Sequence, residues 1–139
     1  YRIWKYLNIF LCMVAVGVII KFTLWGRFPG TRELQLLPFS ALVTKENNDE
    51  AVRTMVMNVV LFLPFGLTLP YVSDVIKNNY RKWLFCIVLG FLLSVCIESI
   101  QYLFALGRTE TDDVICNTFG CVLGVLANAS VEGMKRRHG

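Results

Sequence analysis

Residues 98–117 read ESIQYLFALGRTETDDVICN. An apolar run closes on Glu98 and Gln101, a polar turn occupies Gly107–Asp113, and a second apolar run opens at Val114. Acids, one arginine and two amides are therefore packed into the junction between two segments that each read as a membrane helix. The rest of the chain is legible from that junction outward.

The whole sequence has 139 residues, of which 55% are hydrophobic, and its mean hydropathy is +0.55. Four apolar runs approach or reach the roughly 20 residues that cross a bilayer: about 4–24, 54–72, 83–104 and 114–131. Together they use up the chain, so the sequence predicts an all-α fold: one integral-membrane four-helix bundle over residues 1–139. The first run is too long for a signal peptide and lacks a small-residue cleavage site, so it is expected to be retained. The first residue is Tyr1 rather than Met, which suggests a piece of a longer product.

Charge sets the expected orientation. Arg2 and Lys5 precede the first run. Lys77, Arg81 and Lys82 outweigh Asp74 in the second loop, and Lys135, Arg136 and Arg137 close the chain. The first loop balances Arg27, Arg32, Lys45 and Arg53 against Glu33, Glu46, Asp49 and Glu50, and the third is net acidic. Basic loops stay cytoplasmic, so both termini are expected inside and loops one and three outside. This distribution accounts for the net charge of +4 without nucleic acid. Within the first loop, LQLLPF (residues 34–39) is too short to span and is expected in the headgroup region or folded against the bundle. Asn47, Asn48, Asp49 and Glu50 form a helix start signal, and Pro64 is expected to kink the second helix.

That orientation brings polar residues to one depth. Glu98 and Gln101 fall in the outer third of the third helix. Asn58 and Asn117 fall near the outer ends of the second and fourth, and Arg108, Glu110, Asp112 and Asp113 in the outer turn. Asp113 and Asn117 are spaced i, i+4, and Gly120 and Gly124 continue the stripe. A GxxxG stripe faces a partner helix, so both polar side chains should point into the bundle. An ionised Glu98 at mid-bilayer would cost about 2.5–3.5 kcal/mol. Either Arg108 pairs with it or burial keeps it protonated. Ten helical residues span about 15 Å, so an Arg108 contact needs the chain to fold back, with Gly107 making the turn. The aspartates Asp112 and Asp113 are the nearer partners. The bland alternative is that Asn, Gln and Glu merely hydrogen-bond helices together.

No metal or cofactor is expected: the five cysteines lie in apolar runs without a CxxC, and the lone histidine, His138, lies in the basic tail. The candidate catalytic residues are Glu98, Arg108, Asp112 and Asp113. Asn58, Gln101, Asn117, Pro38 and Phe39 are candidates for substrate binding.

The chain resembles the VanZ-like family of bacterial membrane proteins in LLPF (36–39), NVVLFLPFG (58–66) and ESIQ, GR, DDVICNTFG and a following Gly from Glu98 to Gly124. The resemblance implies a four-helix membrane domain of the bacterial cell membrane and a link to glycopeptide resistance, chiefly to teicoplanin. It implies no agreed reaction. Family members often carry a further aspartate where this chain has Glu110 and Thr111.

Three functions compete. The first is a binding or resistance factor whose outward-facing polar site holds a membrane lipid headgroup, a lipid-linked cell-wall precursor or teicoplanin, with amides and an arginine suited to phosphate and sugar. The second is an intramembrane enzyme acting on a lipid-linked substrate, with Glu98 as general acid or base, Arg108 on phosphate, and the aspartates orienting water or a divalent cation. It lacks a nucleophile with a His base. The third is a transporter, for which four helices are few and no inverted repeat is visible. The first is favoured. The oligomeric state is left open.

Overall fold

The computed structural model describes residues 2–25, 27–30, 32–39, 48–73 and 76–138, with side chains over 3–134 of these. Four helices make the bundle: α1 (Arg2–Thr23), α2 (Asn48–Val72), α3 (Asn79–Leu103) and α4 (Thr111–His138). Each carries a stretch apolar enough to cross a membrane, with mean hydropathy from 1.7 to 2.3, and at most 33% of each stretch is buried inside the protein. Side chains such as Phe10, Met13, Phe91 and Leu126 face outward. Surface of that kind is stable against lipid and not against water. The helices start and stop within seven residues of the expected limits; the largest extensions are at the start of α2 and the end of α4. Lys45, Glu46, Asn47 and Asp74, and the side chains of Arg2, Lys135, Arg136, Arg137 and His138, lie outside the described residues.

Sequence spacing sets the core. On α1, the buried residues Asn8, Cys12, Ala15, Ile19 and Thr23 recur at three- and four-residue steps, one face of a helix. On α2, Phe62, Phe65 and Leu69 continue the core, and the helix runs unbroken through Pro64 and Pro70. The Thr68 hydroxyl donates to the Pro64 carbonyl at 2.9 Å. The GxxxG stripe does face a partner, and the partner is α2. A Cβ on Gly120 would strike the Val59 carbonyl, and one on Gly124 would strike the Leu63 carbonyl and the backbone of Leu67. Gly66 reciprocates against the Cys121 backbone. Backbones this close make the α2–α4 seam the tightest in the bundle.

α1 and α3 end, and α2 and α4 begin, at the same end of the bundle, here called the cap end. Two short strands cover it: β1 (Glu33–Gln35) and β2 (Arg108–Glu110), paired in parallel with Glu33 opposite Arg108 and Gln35 opposite Glu110. They are parallel because each follows a helix that runs toward this end. The pairing adds a β element to the all-helical expectation. α3 closes with Ala105 in the left-handed region (φ 54°). The Leu106 N–H then donates to the Gln101 carbonyl at 2.8 Å and the Ala105 N–H to that of Tyr102 at 3.2 Å. This is a Schellman closure with alanine where glycine is usual. The reversal expected at Gly107 therefore starts two residues earlier, with Gly107 (φ 125°) continuing it. Arginines of the first loop bind the carbonyls left over at this helix end: Arg32 Nη2 reaches Leu103 at 3.2 Å and Arg27 Nη1 reaches Leu106 at 3.5 Å.

Candidate functional site

Between the helices at the cap end lies a cavity of about 410 Å³. Five of the sequence-predicted residues line it: Asn58, Glu98, Gln101, Asp113 and Asn117. All four helices contribute, because α1 supplies Val18, Phe22 and Thr23. The other four candidates belong to the cap beside it.

The lining groups are fixed by one another. Asn58 Nδ2 on α2 donates to Asp113 Oδ1 on α4 at 2.6 Å. Asn117 Nδ2 donates to Ser94 Oγ on α3 at 2.9 Å. Gln101 Nε2 donates to the Thr23 carbonyl at the end of α1 at 2.9 Å. Glu98 Oε2 accepts the Glu110 backbone N–H at 3.3 Å, tying α3 to β2. Every amide donor thus turns toward protein. The amide oxygens do not follow: Gln101 Oε1 and Asn117 Oδ1 have no partner, on residues 2% and 1% exposed. Buried polar atoms are nearly always paired; Trp83 Nε1, Thr109 Oγ1 and Asn128 Oδ1 are also without partners, away from this cavity. The amide role expected from sequence is altered, since the donors are taken up within the protein and the oxygens are left over.

The cap holds the rest. Asp112 does not face the cavity; its Oδ1 accepts the Phe39 backbone N–H at 2.7 Å and so supports a residue with positive φ (58°). The Thr111 hydroxyl donates to the carbonyls of Gln35 and Leu36 at 3.3 and 3.2 Å. Asp112 and Thr111 thereby seat the LLPF loop on the start of α4, while Leu36, Leu37 and Phe39 project outward. Pro38 is exposed in the same turn.

Arg108 corrects an expectation. Its partners are neither Glu98 nor the aspartate pair: Nε reaches Glu33 at 3.1 Å and Nη1 reaches Glu110 at 3.2 Å. Side chains alternate across a strand, so Arg108 and Glu110 share one face of β2 while Thr109, on the other, is buried. Hydrogen bonds to Glu33 and Glu110 hold the guanidinium charged, above its ordinary range. With its side chain 53% exposed, it lies over the cap and not in the cavity.

Sequence reasoning passed over Arg27, Arg53, Glu50 and Thr54, which complete the lining. Arg53 and Glu50 sit on the first two turns of α2, and Arg27 four residues past α1. Their loop position gave them the look of solvated charge. The one available sign was that Glu50, Arg53, Thr54, Met57 and Asn58 fall at three- and four-residue steps, a single helix face. No group of three or more His, Cys, Asp or Glu among the described residues is arranged to hold a metal.

The sequence model of the VanZ/LLP1 family matches residues 6–130. The chain belongs to the VanZ/LLP1 family. It is 35% identical over 109 residues to Protein VanZ of Enterococcus faecium, an alignment covering 77% of this chain and 56% of that protein. The chain thus spans little more than half the length of the curated relative it matches. No solved structure is significantly similar. Family membership and four apolar helices make this chain a multi-pass membrane protein of the VanZ kind.

Proposed function

We propose that this chain is a bacterial membrane resistance factor acting against glycopeptides, teicoplanin above all, by binding an amphiphile in the cap-end cavity. The amphiphile is a lipid headgroup, a lipid-linked cell-wall precursor or the drug itself. The observation that carries this reading is the cavity of about 410 Å³, lined by two buried amides, Gln101 and Asn117, whose oxygens have no partner. Single polar groups are left over elsewhere in the bundle, but here two fall on residues of one cavity. The cavity reaches outward-facing apolar residues, as an amphiphile requires. The enzyme reading is the weaker one. Glu98 is held by a backbone N–H, and the lining contains neither histidine nor cysteine to act beside it.

In this reading the cap end faces outside and both termini lie in the cytoplasm, supported by the basic residues flanking the far end. Single cysteines in a cysteine-free background test it. Glu110→Cys should react with an impermeant reagent on intact cells; reaction of Asn79→Cys from outside would sink the orientation.

The functional test is expression in a susceptible Gram-positive host. Tolerance should rise more for teicoplanin, whose acyl chain brings it to membrane depth, than for vancomycin. Met57→Trp, which fills the cavity from its exposed side, should abolish that gain at equal membrane levels. Undiminished resistance with the cavity filled would overturn the reading.

A further inference from the structure

The inner wall of the cavity is made of acceptors. Glu98 and Asp113 line it with carboxyl groups, and Gln101 and Asn117 line it with amides whose oxygens have no partner. The donors of the neighbouring amides are engaged by Asp113, Ser94 and Thr23. Among the described residues no cationic side chain forms an ion pair with either carboxylate; the three ion pairs lie elsewhere. Arg27 lines the same cavity, but its hydrogen bond goes to the Leu106 carbonyl. Such a wall repels a phosphate. It suits a group that brings positive charge together with several N–H donors.

The rim has the opposite character. Arg27 and Arg53 are exposed there, and guanidinium groups are good partners for phosphate. Between α1 and α2 the lining turns apolar and outward: Phe22 is 60% and Met57 50% exposed, yet both line the cavity. The opening therefore faces the surface that lipid covers.

We propose that the cavity receives a primary amine carried on a phosphate-bearing amphiphile. The ammonium lies among Glu98, Gln101, Asp113 and Asn117, the phosphate lies by Arg27 and Arg53, and the hydrocarbon leaves between α1 and α2. An ammonium has three donors and no acceptor, so it satisfies both orphan oxygens and a carboxylate at once. This assignment rests on the binding reading above and names its ligand class. Two sources supply the chemistry: an aminated membrane phospholipid, and a prenyl-phosphate-linked wall precursor with a free amine.

The experiment is lipid retention by the purified protein in native mass spectrometry. The probes are phosphatidylethanolamine, phosphatidylcholine and phosphatidylglycerol with identical chains. Phosphatidylcholine keeps the positive charge without N–H donors; phosphatidylglycerol has hydroxyls without the charge. Phosphatidylethanolamine should be retained about tenfold better than either, the size of one charge-assisted hydrogen bond. Glu98→Gln and Asp113→Asn should each erode that preference. Equal retention of the three lipids by the unaltered protein overturns the proposal whatever the variants do, and so does a preference that survives both substitutions. A competition arm with an amine-bearing prenyl-linked peptide assigns the source: displacement of phosphatidylethanolamine points to the precursor, and none points to the phospholipid, the ammonium site standing in both. If retention shows no preference while Met57→Trp still abolishes resistance, the ammonium assignment fails and the binding function survives.

Discussion

At the far end of the bundle the Glu132 carboxylate on α4 meets the Lys82 ammonium on α3 at 3.2 Å, with side chains only 22% and 8% exposed. At the cap end Glu98 and Asp113 lie on the same two helices with a cavity in front of them and a backbone N–H and an amide as their partners. Both ends leave an amide oxygen unpaired, Asn128 Oδ1 at one and those of Gln101 and Asn117 at the other. What differs is the cation. The far end closes its charge internally with a lysine, whereas the cap end has room where an ammonium would go. A membrane protein that needs only stability can be built throughout like the far end. At the cap end the nearest cations of the chain, Arg27 and Arg53, line the same cavity without forming an ion pair with either carboxylate among the described residues.

The largest expected effect breaks the closed end. Lys82→Ala leaves the half-buried Glu132 without its cation, a change that lies between the roughly 1 kcal/mol of an exposed pair and the roughly 3–5 kcal/mol of a fully buried one. The melting temperature in detergent should fall sharply, and adding Glu132→Gln should recover much of the loss. No recovery in the double variant would show that Lys82 acts through its packed stem and not its charge.

Next in size is the seam that holds the two ends together. Gly124→Ala places a methyl against the Leu63 carbonyl and the Leu67 backbone, both rigid, so α2 and α4 must separate. Overpacking of this kind costs about 1–3 kcal/mol. A melting temperature equal to that of the parent would mean that the seam can widen freely. Gly17, with nothing near its Cβ position, is the control: Gly17→Ala should be neutral or slightly stabilising.

These two sites also show what the sequence disclosed. Helix existence, the shared depth of Glu98 and Asn117, and the inward stripe at Gly120 and Gly124 were all legible, because length and helical period report them directly. The β1–β2 pair was not. Three-residue strands carry no usable alternation, and their partners are 75 positions apart. The cap arginines were not legible either, since Arg27 earns its place only through the reversal at Ala105 that brings Leu106 within its reach. The Arg108 contact was misjudged for the same cause: a turn was assumed where a strand forms, and a strand directs the side chain outward.

At the open end, charge removal should separate function from stability. Glu98→Gln and Asp113→Asn keep shape and hydrogen-bonding capacity, and no ion pair is lost among the described residues. Melting should shift by less than the equivalent of about 1 kcal/mol, while resistance at matched membrane levels disappears. A large loss of stability with these isosteres would place the carboxylates in the same structural role as Glu132 and erase the contrast between the ends.

The smallest effect belongs to Arg108. A buried pair would have made Arg108→Ala severely destabilising, but its partners Glu33 and Glu110 have side chains 56% and 18% exposed, and its own is 53% exposed. Exposed pairs contribute about 0–1 kcal/mol, so the melting temperature should barely move. The informative quantity is therefore function. Arg108 faces the medium above the cap, whereas Arg27 and Arg53 rim the cavity. If the phosphate of a ligand is read at the rim, Arg53→Gln should weaken retention of phosphatidylethanolamine more than Arg108→Gln does. Equal weakening by both would mean that the cap closes over the ligand and that Arg108 reaches it when the site is filled. A larger effect from Arg108 would move the anionic group out of the rim altogether and onto the β1–β2 surface.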